Sequence, residues 1–178
     1  MVDAVLSFHP ESVLEIGCNC GPNLYQIHLA APGIRLFGID TNHQAIAKGR
    51  DFFRTNQLPI TIMAWDAKDL EDIDRRFDVI FTDATLMLIH PIDEIIQNMV
   101  KSANLGIVVL EYNDEAHTLD DTYIYRKGYW KRNYKLLFSQ FDRVRSVDIQ
   151  YLTKRDWNDK YWLKLGAMTI VRLREVKK

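Results

Sequence analysis

The stretch VLEIGCNCGPNLYQI, residues 13–27, decides the fold. An apolar run breaks at Gly17, a second glycine follows at Gly21, and Pro22 opens a helical segment. A glycine-rich turn between a strand and a helix aims backbone N–H groups and the positive end of the helix dipole at a ligand. Gly17 and Gly21 supply backbone freedom and close approach there. The acidic residue closing the next strand, Asp40, lies 23 residues after Gly17. That is about the spacing at which a carboxylate takes a ribose diol in doubly wound folds, so the ligand reads as a nucleoside.

Two details choose the nucleoside. The dinucleotide fingerprint G-x-G-x-x-G uses its second glycine to let the backbone touch a pyrophosphate. Here Asn19 holds that position, and its side chain obstructs the approach. Glu15 stands two residues before Gly17, where a carboxylate repels a pyrophosphate and suits a cationic ammonium group. Both departures disfavour a nicotinamide-dependent oxidoreductase and favour an amino-acid nucleoside.

Outward from this turn, apolar runs alternate with segments of helical period, the pattern of an open α/β sheet. Strands are predicted at 12–16, 34–39, 59–64, 77–81 and 107–112. Helices are predicted at 22–30, at about 42–55, and behind Pro91, where Ile92, Ile95, Ile96, Met99 and Val100 recur at helical spacing until Gly106 closes the segment. Residues 113–125 read as a loop. Trp130, Tyr134, Leu137, Phe138 and Phe141 mark one face of a further helix, and 144–152 with 162–171 read as antiparallel neighbours. The count is seven strands in a single domain spanning 1–178.

Composition sets the outer limits. The chain has 178 residues, 47% of them hydrophobic and 26% charged, with a net charge of −1. Those values suit one globular domain and give no bulk-charge argument for nucleic acid or an anionic membrane. Two cysteines two residues apart make neither a disulfide framework nor a zinc site, which makes the reducing cytoplasm the default compartment. The opening MVDAVLSFHP lacks the basic segment of a signal peptide, and no uncharged run is long enough to span a bilayer.

With the order of these segments in view, VLEIGCNCG resembles the first motif of class I S-adenosylmethionine-dependent methyltransferases, in its E-x-G-x-x-x-G form. LFGID resembles their second motif, MAWDAKDL the third and FDVIFTDATLMLIHP the fourth. The resemblance runs from about residue 13 to 112, and small stand-alone bacterial members are the nearest in kind, including in GYWKRNYKLL. It implies a Rossmann-like sheet of strand order 3-2-1-4-5-7-6, mostly parallel with one antiparallel strand and helices on both faces. It also implies S-adenosylmethionine as cofactor and S-adenosylhomocysteine as product. Carried across, Glu15, Gly17, Gly21 and Asn23 would hold the methionine part, Asp40 and Thr41 the ribose, and Asp66 and Ala67 the adenine, with Cys18 and Asn19 of the turn also against the cofactor. Asp83 would border the methyl group. Members of the family usually carry a cofactor-covering helical segment before the first strand. About a dozen residues precede it here, so little or no such cover is expected, unless a homodimer or a partner subunit supplies it.

Each candidate has a plainer reading. Cys18 and Cys20 are packing residues beside the turn before they are redox or metal groups. Asp66 can be a turn residue, although the motif order favours adenine. His90, just past the fourth strand, is either a residue at a helix start or the base that takes an acceptor proton. Tyr112, closing the fifth strand, has the same two readings. RKGYWKRNYK resembles a nucleic-acid patch, but Trp130 and Tyr134 fit an apolar helix stripe that leaves the Lys and Arg on a solvated face. The expected activity is methyl transfer to an oxygen or nitrogen acceptor on a small molecule or sugar. A non-catalytic cofactor-binding subunit and an RNA methyltransferase are the alternatives.

Overall fold

Val13, Leu14 and Ile16 are all buried in β1 (Ser12–Ile16), and the sheet is built outward from that strand in both directions. The computed structural model describes residues 1–73, 76–116, 124–126, 128–155 and 162–174. On one side β1 pairs in parallel with β2 (Arg35–Asp40), which pairs with β3 (Ile60–Ala64). On the other it pairs with β4 (Phe77–Asp83), which pairs with β5 (Ala103–Tyr112). After a small hairpin of β6 (Ile124–Arg126) and β7 (Tyr129–Lys131) come β8 (Val144–Tyr151) and β9 (Gly166–Leu173). β9 lies antiparallel between β5 and β8, giving the seven-stranded order β3-β2-β1-β4-β5-β9-β8. Setting the hairpin aside, this is the expected order with its single antiparallel strand.

Both faces of the sheet are covered, as strands buried on both sides require. Leu24 and Ile27 of α2 (Pro22–Ala30) pack with Ile46 and Phe53 of α3 (His43–Thr55) on one face, together with Ala4 and Val5 of α1 (Val2–Leu6). Ile95, Ile96 and Met99 of α4 (Asp93–Ser102) fill the other with Leu137 and Phe138 of α5 (Tyr134–Ser139). Local chemistry sets the helix starts. Gly21 at φ +86° precedes Pro22, whose fixed φ suits a first helical position. The Asn42 side chain accepts from the Gln44 and Ala45 amides and starts α3 one residue later than expected. Among the described residues, no helix is long and apolar enough to cross a membrane.

Four expectations are corrected. The last strand does not begin at residue 162: Trp162–Leu165 is a short helix, and β9 starts at Gly166. Gly106 does not close a helix: it lies inside β5, paired with Val79 and Arg172. A Cβ there would stand 2.1 Å from the Phe8 ring, so the glycine serves a close approach between segments. Trp130 is not on the helix stripe but in β7, because the Asn133 side chain accepts from the Leu136 amide and starts α5 only at Tyr134. The basic residues there are not all on a solvated face. Arg132 is fully buried, and Lys131 pairs with Asp114. Lys127 of that patch, and 117–123 of the expected loop, lie outside the described residues.

Candidate cofactor site

The turn after β1 is wound tightly, with Gly17, Asn19 and Gly21 all at positive φ. Asparagine tolerates this region better than most side chains, which suits it to the middle position. The amides of Gly17 and Cys18 both donate to the Ile39 carbonyl, at 2.8 and 3.0 Å. Asn19 N–H donates to Asp40 Oδ2, Cys20 N–H to Asn19 Oδ1 and Gly21 N–H to the Cys18 carbonyl. All five N–H groups of 17–21 are therefore satisfied inside the protein. The turn does not aim its amides at a ligand, contrary to the expectation, and a pyrophosphate would find no cradle of donors there. What it offers is a floor without a side chain: a Cβ on Gly17 would stand 2.1 Å from Thr85 Oγ1.

Beneath this floor lies a cluster of acids. Glu15 is 1% exposed, and its Oε1 accepts from Asn23 Nδ2 at 2.8 Å. The same Asn23 nitrogen donates to Asp83 Oδ2 at 3.2 Å, joining the ends of β1 and β4 through α2. Glu15 Oε2 is buried and has no partner. Burial pushes the Glu15 carboxyl up to about 8; the Asn23 hydrogen bond opposes this, and the Asp83 and Asp40 charges add to it. Burial likewise raises the Asp83 carboxyl. Two carboxyls that resist ionisation beside an unmatched acceptor are what a cationic ligand would relieve.

A cavity of about 380 Å³ opens above, lined at one end by Trp65, Asp66 and Ala67 and along its floor by Gly17 and Asn19. Asp40 and Thr41 line its middle, with Asp83, Thr85, Leu88 and Ile89 on the far wall. Among the described residues, no Lys, Arg or His belongs to the lining. Asp40 is committed at both oxygens, Oδ2 to Asn19 N–H and Oδ1 to Asn42 N–H, each at 2.8 Å, which fixes its carboxylate plane at the lip. Asp66 is a turn residue that also lines the cavity. Its Oδ1 caps the 3₁₀ turn Ala67–Asp72 through Lys68 N–H, and it faces the cavity.

Of the sequence candidates, Gly17, Asn19, Asp40, Thr41, Asp66, Ala67 and Asp83 line one cavity, with Glu15 and Asn23 joined to it through Asp83. Gly21 caps α2. Cys18 is buried with its sulfur toward Gly38, in the packing role, while Cys20 is exposed. His90 is not in the lining but follows Ile89, which is, and its exposed ring stacks on Trp130 with centroids 4.1 Å apart. Tyr112 is also outside, 8% exposed and packed against Tyr129 and Trp162. Sequence reasoning missed Trp65, Thr85, Leu88 and Ile89. A signal existed for Trp65, since a large aromatic directly before a cavity-lining Asp is a ready stacking surface.

A family profile described as a methyltransferase domain matches residues 13–106, more than half of the chain. No curated protein sequence matches. Solved structures do. The plantazolicin methyltransferase BpumL, in complex with a triazolic desmethylPZN analog and SAH, matches with a TM-score of 0.67 at 16% identity, covering 98% of this chain and 83% of that one. The O-methyltransferase from a trans-AT PKS multienzyme of Brevibacillus brevis, in complex with S-adenosyl-L-homocysteine, gives 0.70 at 13%, covering 97% and 71%. The (4+2)-cyclase SpnF gives 0.74 at 16%, covering 99% and 80%. At these identities the structural likeness is one of fold. Profile, strand order and the turn–acid arrangement agree, and the chain belongs to the methyltransferase-domain family of the class I, S-adenosylmethionine-dependent type.

Proposed function

We propose that the protein binds S-adenosylmethionine in this acid-lined cavity and transfers its methyl group to an oxygen or nitrogen of a small-molecule or sugar acceptor. The observation that carries the reading is the orphaned Glu15 Oε2, joined through Asn23 to Asp83 of the cavity lining. A buried acceptor without a donor fits an ammonium group, and the methionine part of the cofactor has one. Asp40 and Thr41 line the same cavity and are assigned to the ribose in this reading, and Trp65, Asp66 and Ala67 to the adenine. Two of the neighbours named above carry S-adenosylhomocysteine, in line with this assignment. The neighbour that is a cyclase is a reminder that the fold does not choose the reaction.

When bound, the sulfonium supplies the activated methyl group, so the protein's work is alignment and exclusion of water. Asn23 fixes the two carboxyls under the turn. Leu88 and Ile89 give the far wall an apolar surface. His90, one residue beyond that wall, is the first candidate to take the acceptor proton, and Tyr112 the second. Titration calorimetry tests the reading: S-adenosylhomocysteine binds and NAD does not. Binding of NAD with no binding of S-adenosylhomocysteine overturns it.

A further inference from the structure

The far wall of the cavity is a segment that cannot hold itself in place. Residues 84–89 run from the end of β4 through a single 3₁₀ turn, Leu86–Leu88, entered by Ala84 at φ +53°. Three residues of 3₁₀ helix have little stability of their own, and a non-glycine residue at positive φ adds strain. Yet Ala84, Thr85, Leu88 and Ile89 all line the cavity, and Thr85 fills the space that a Cβ on Gly17 would need. A small shift of this segment would change the width of the cavity directly above the glycine floor.

Two fully buried charged side chains grip it from opposite ends of its peptide dipoles. Glu111 Oε1 accepts from the Thr85 and Leu86 amides at 2.8 Å each and from Thr82 Oγ1 at 3.1 Å. Its Oε2 accepts from the Met87 amide at 3.0 Å. The Arg132 guanidinium donates to the Leu86 carbonyl at 2.7 Å and to the Ile89 carbonyl. Both side chains are 0% exposed. Both also hang from the same strand end. Glu111 belongs to β5, while the Arg132 amide donates to the Tyr112 carbonyl and the Arg132 carbonyl accepts from the Asp114 amide. The segment is thereby tied to a central strand by its amides and by its carbonyls. Packing alone would be better served by apolar residues, because buried charges gain little net stability. What they supply is a fixed backbone position.

We propose that Glu111 and Arg132 are positioning residues of the cavity: they set the 84–89 wall against the Gly17 floor, and cofactor affinity depends on that setting. The proposal rests on the cofactor reading above. It is tested by calorimetric titration of S-adenosylhomocysteine into the full chain, first wild type, then variants held well below their melting temperatures. Arg132→Lys keeps the charge but not the planar fork that reaches two carbonyls. It is expected to stay folded and to bind ~10-fold or more weakly, the scale of one charge-assisted hydrogen bond. Arg132→Ala should lose affinity further and recover part of it when guanidinium chloride is added at a few millimolar, but not with sodium chloride. Glu111→Gln, which offers one acceptor oxygen to groups that now share two, should weaken binding on the same scale and carries the test if the Arg132 variants do not fold. A purely structural role would lower the melting temperature and leave the affinity of the folded protein alone. Folded variants that bind within about twofold of wild type therefore overturn the proposal while the cofactor reading stands. A wild type that binds no S-adenosylhomocysteine removes both.

Discussion

Replacing Glu15 by glutamine should make the ligand-free protein more stable while weakening its hold on the cofactor. The folded protein keeps the Glu15 proton up to about pH 8, whereas the ordinary value is 4.5. Between those values the unfolded chain releases a proton that the folded chain retains, so stability falls as pH rises through that window. Each pKa unit is worth about 1.36 kcal/mol, so the full cost approaches ~5 kcal/mol above pH 8 and ~3 kcal/mol at pH 7. Glu15→Gln removes the ionisation and keeps an oxygen for the Asn23 amide. If half of the pH 7 figure is recovered, the melting temperature rises by ~3–6 °C for a domain of this size.

The pH dependence separates this from a generic effect. Near pH 4.5 the two proteins should melt almost together, and the gap should widen steadily to pH 8. Binding should move the other way. Glutamine cannot ionise to meet the ammonium group, and S-adenosylhomocysteine affinity falls by ~10–100-fold, the range of a charge-assisted hydrogen bond. Binding to wild type at pH 7 should also release protons, seen as a calorimetric enthalpy that varies with the ionisation heat of the buffer. Thermal melts across pH with parallel calorimetry make the check. A variant that is destabilised equally at every pH, or that binds as well as wild type, would refute the account of Glu15 as a carboxyl waiting for a cation.

Asp40→Asn should weaken S-adenosylhomocysteine binding by at least ~10-fold. It should also lower the melting temperature modestly, because Asp40 holds the Asn19 and Asn42 amides; unaltered affinity would reduce Asp40 to a brace for the turn. His90→Ala should leave S-adenosylhomocysteine affinity nearly unchanged and cut turnover on a responsive acceptor by ~10²–10⁴-fold, the contribution of a positioned acid or base. Near-normal turnover would leave His90 as a ring stacked on Trp130 and make Tyr112 the next side chain to test.

The parts of the fold written in local chemistry were readable. The β1–turn–α2 unit starts and stops where Gly17, Gly21 and Pro22 say it should, and Asp40 and Asp66 meet the same cavity because each ends or follows a strand at the same sheet edge. The misreadings occurred where a distant partner settles the local structure. Gly106 looks like a helix terminator until Phe8, about a hundred residues earlier, is seen against it. Trp130 fits a helical stripe by spacing, but the Asn133 cap and the burial of Arg132 put it in a hairpin. Glu111 closes an apolar run, and a charge in such a place is seldom buried without partners. Nothing local says that those partners are three amides of another segment.

Charge explains why this turn serves a different ligand from the dinucleotide turn that it resembles in outline. A turn that binds pyrophosphate keeps its amides free and its surroundings neutral or basic. Here the amides of 17–21 are all consumed internally, and the cavity carries Asp40, Asp66 and Asp83, with Glu15 below and, among the described residues, no basic side chain in its lining. A net charge of −1 over the whole chain conceals this concentration of acid at one sheet edge. The pull on a ligand comes from the local field and not from the total, and acids placed at the edge of a low-dielectric cleft focus it. Such a site repels phosphates and gains from a ligand that brings its own positive charge. Gly17 presents bare backbone to the cavity, and the carboxyls around it explain why the ligand should be a cationic nucleoside.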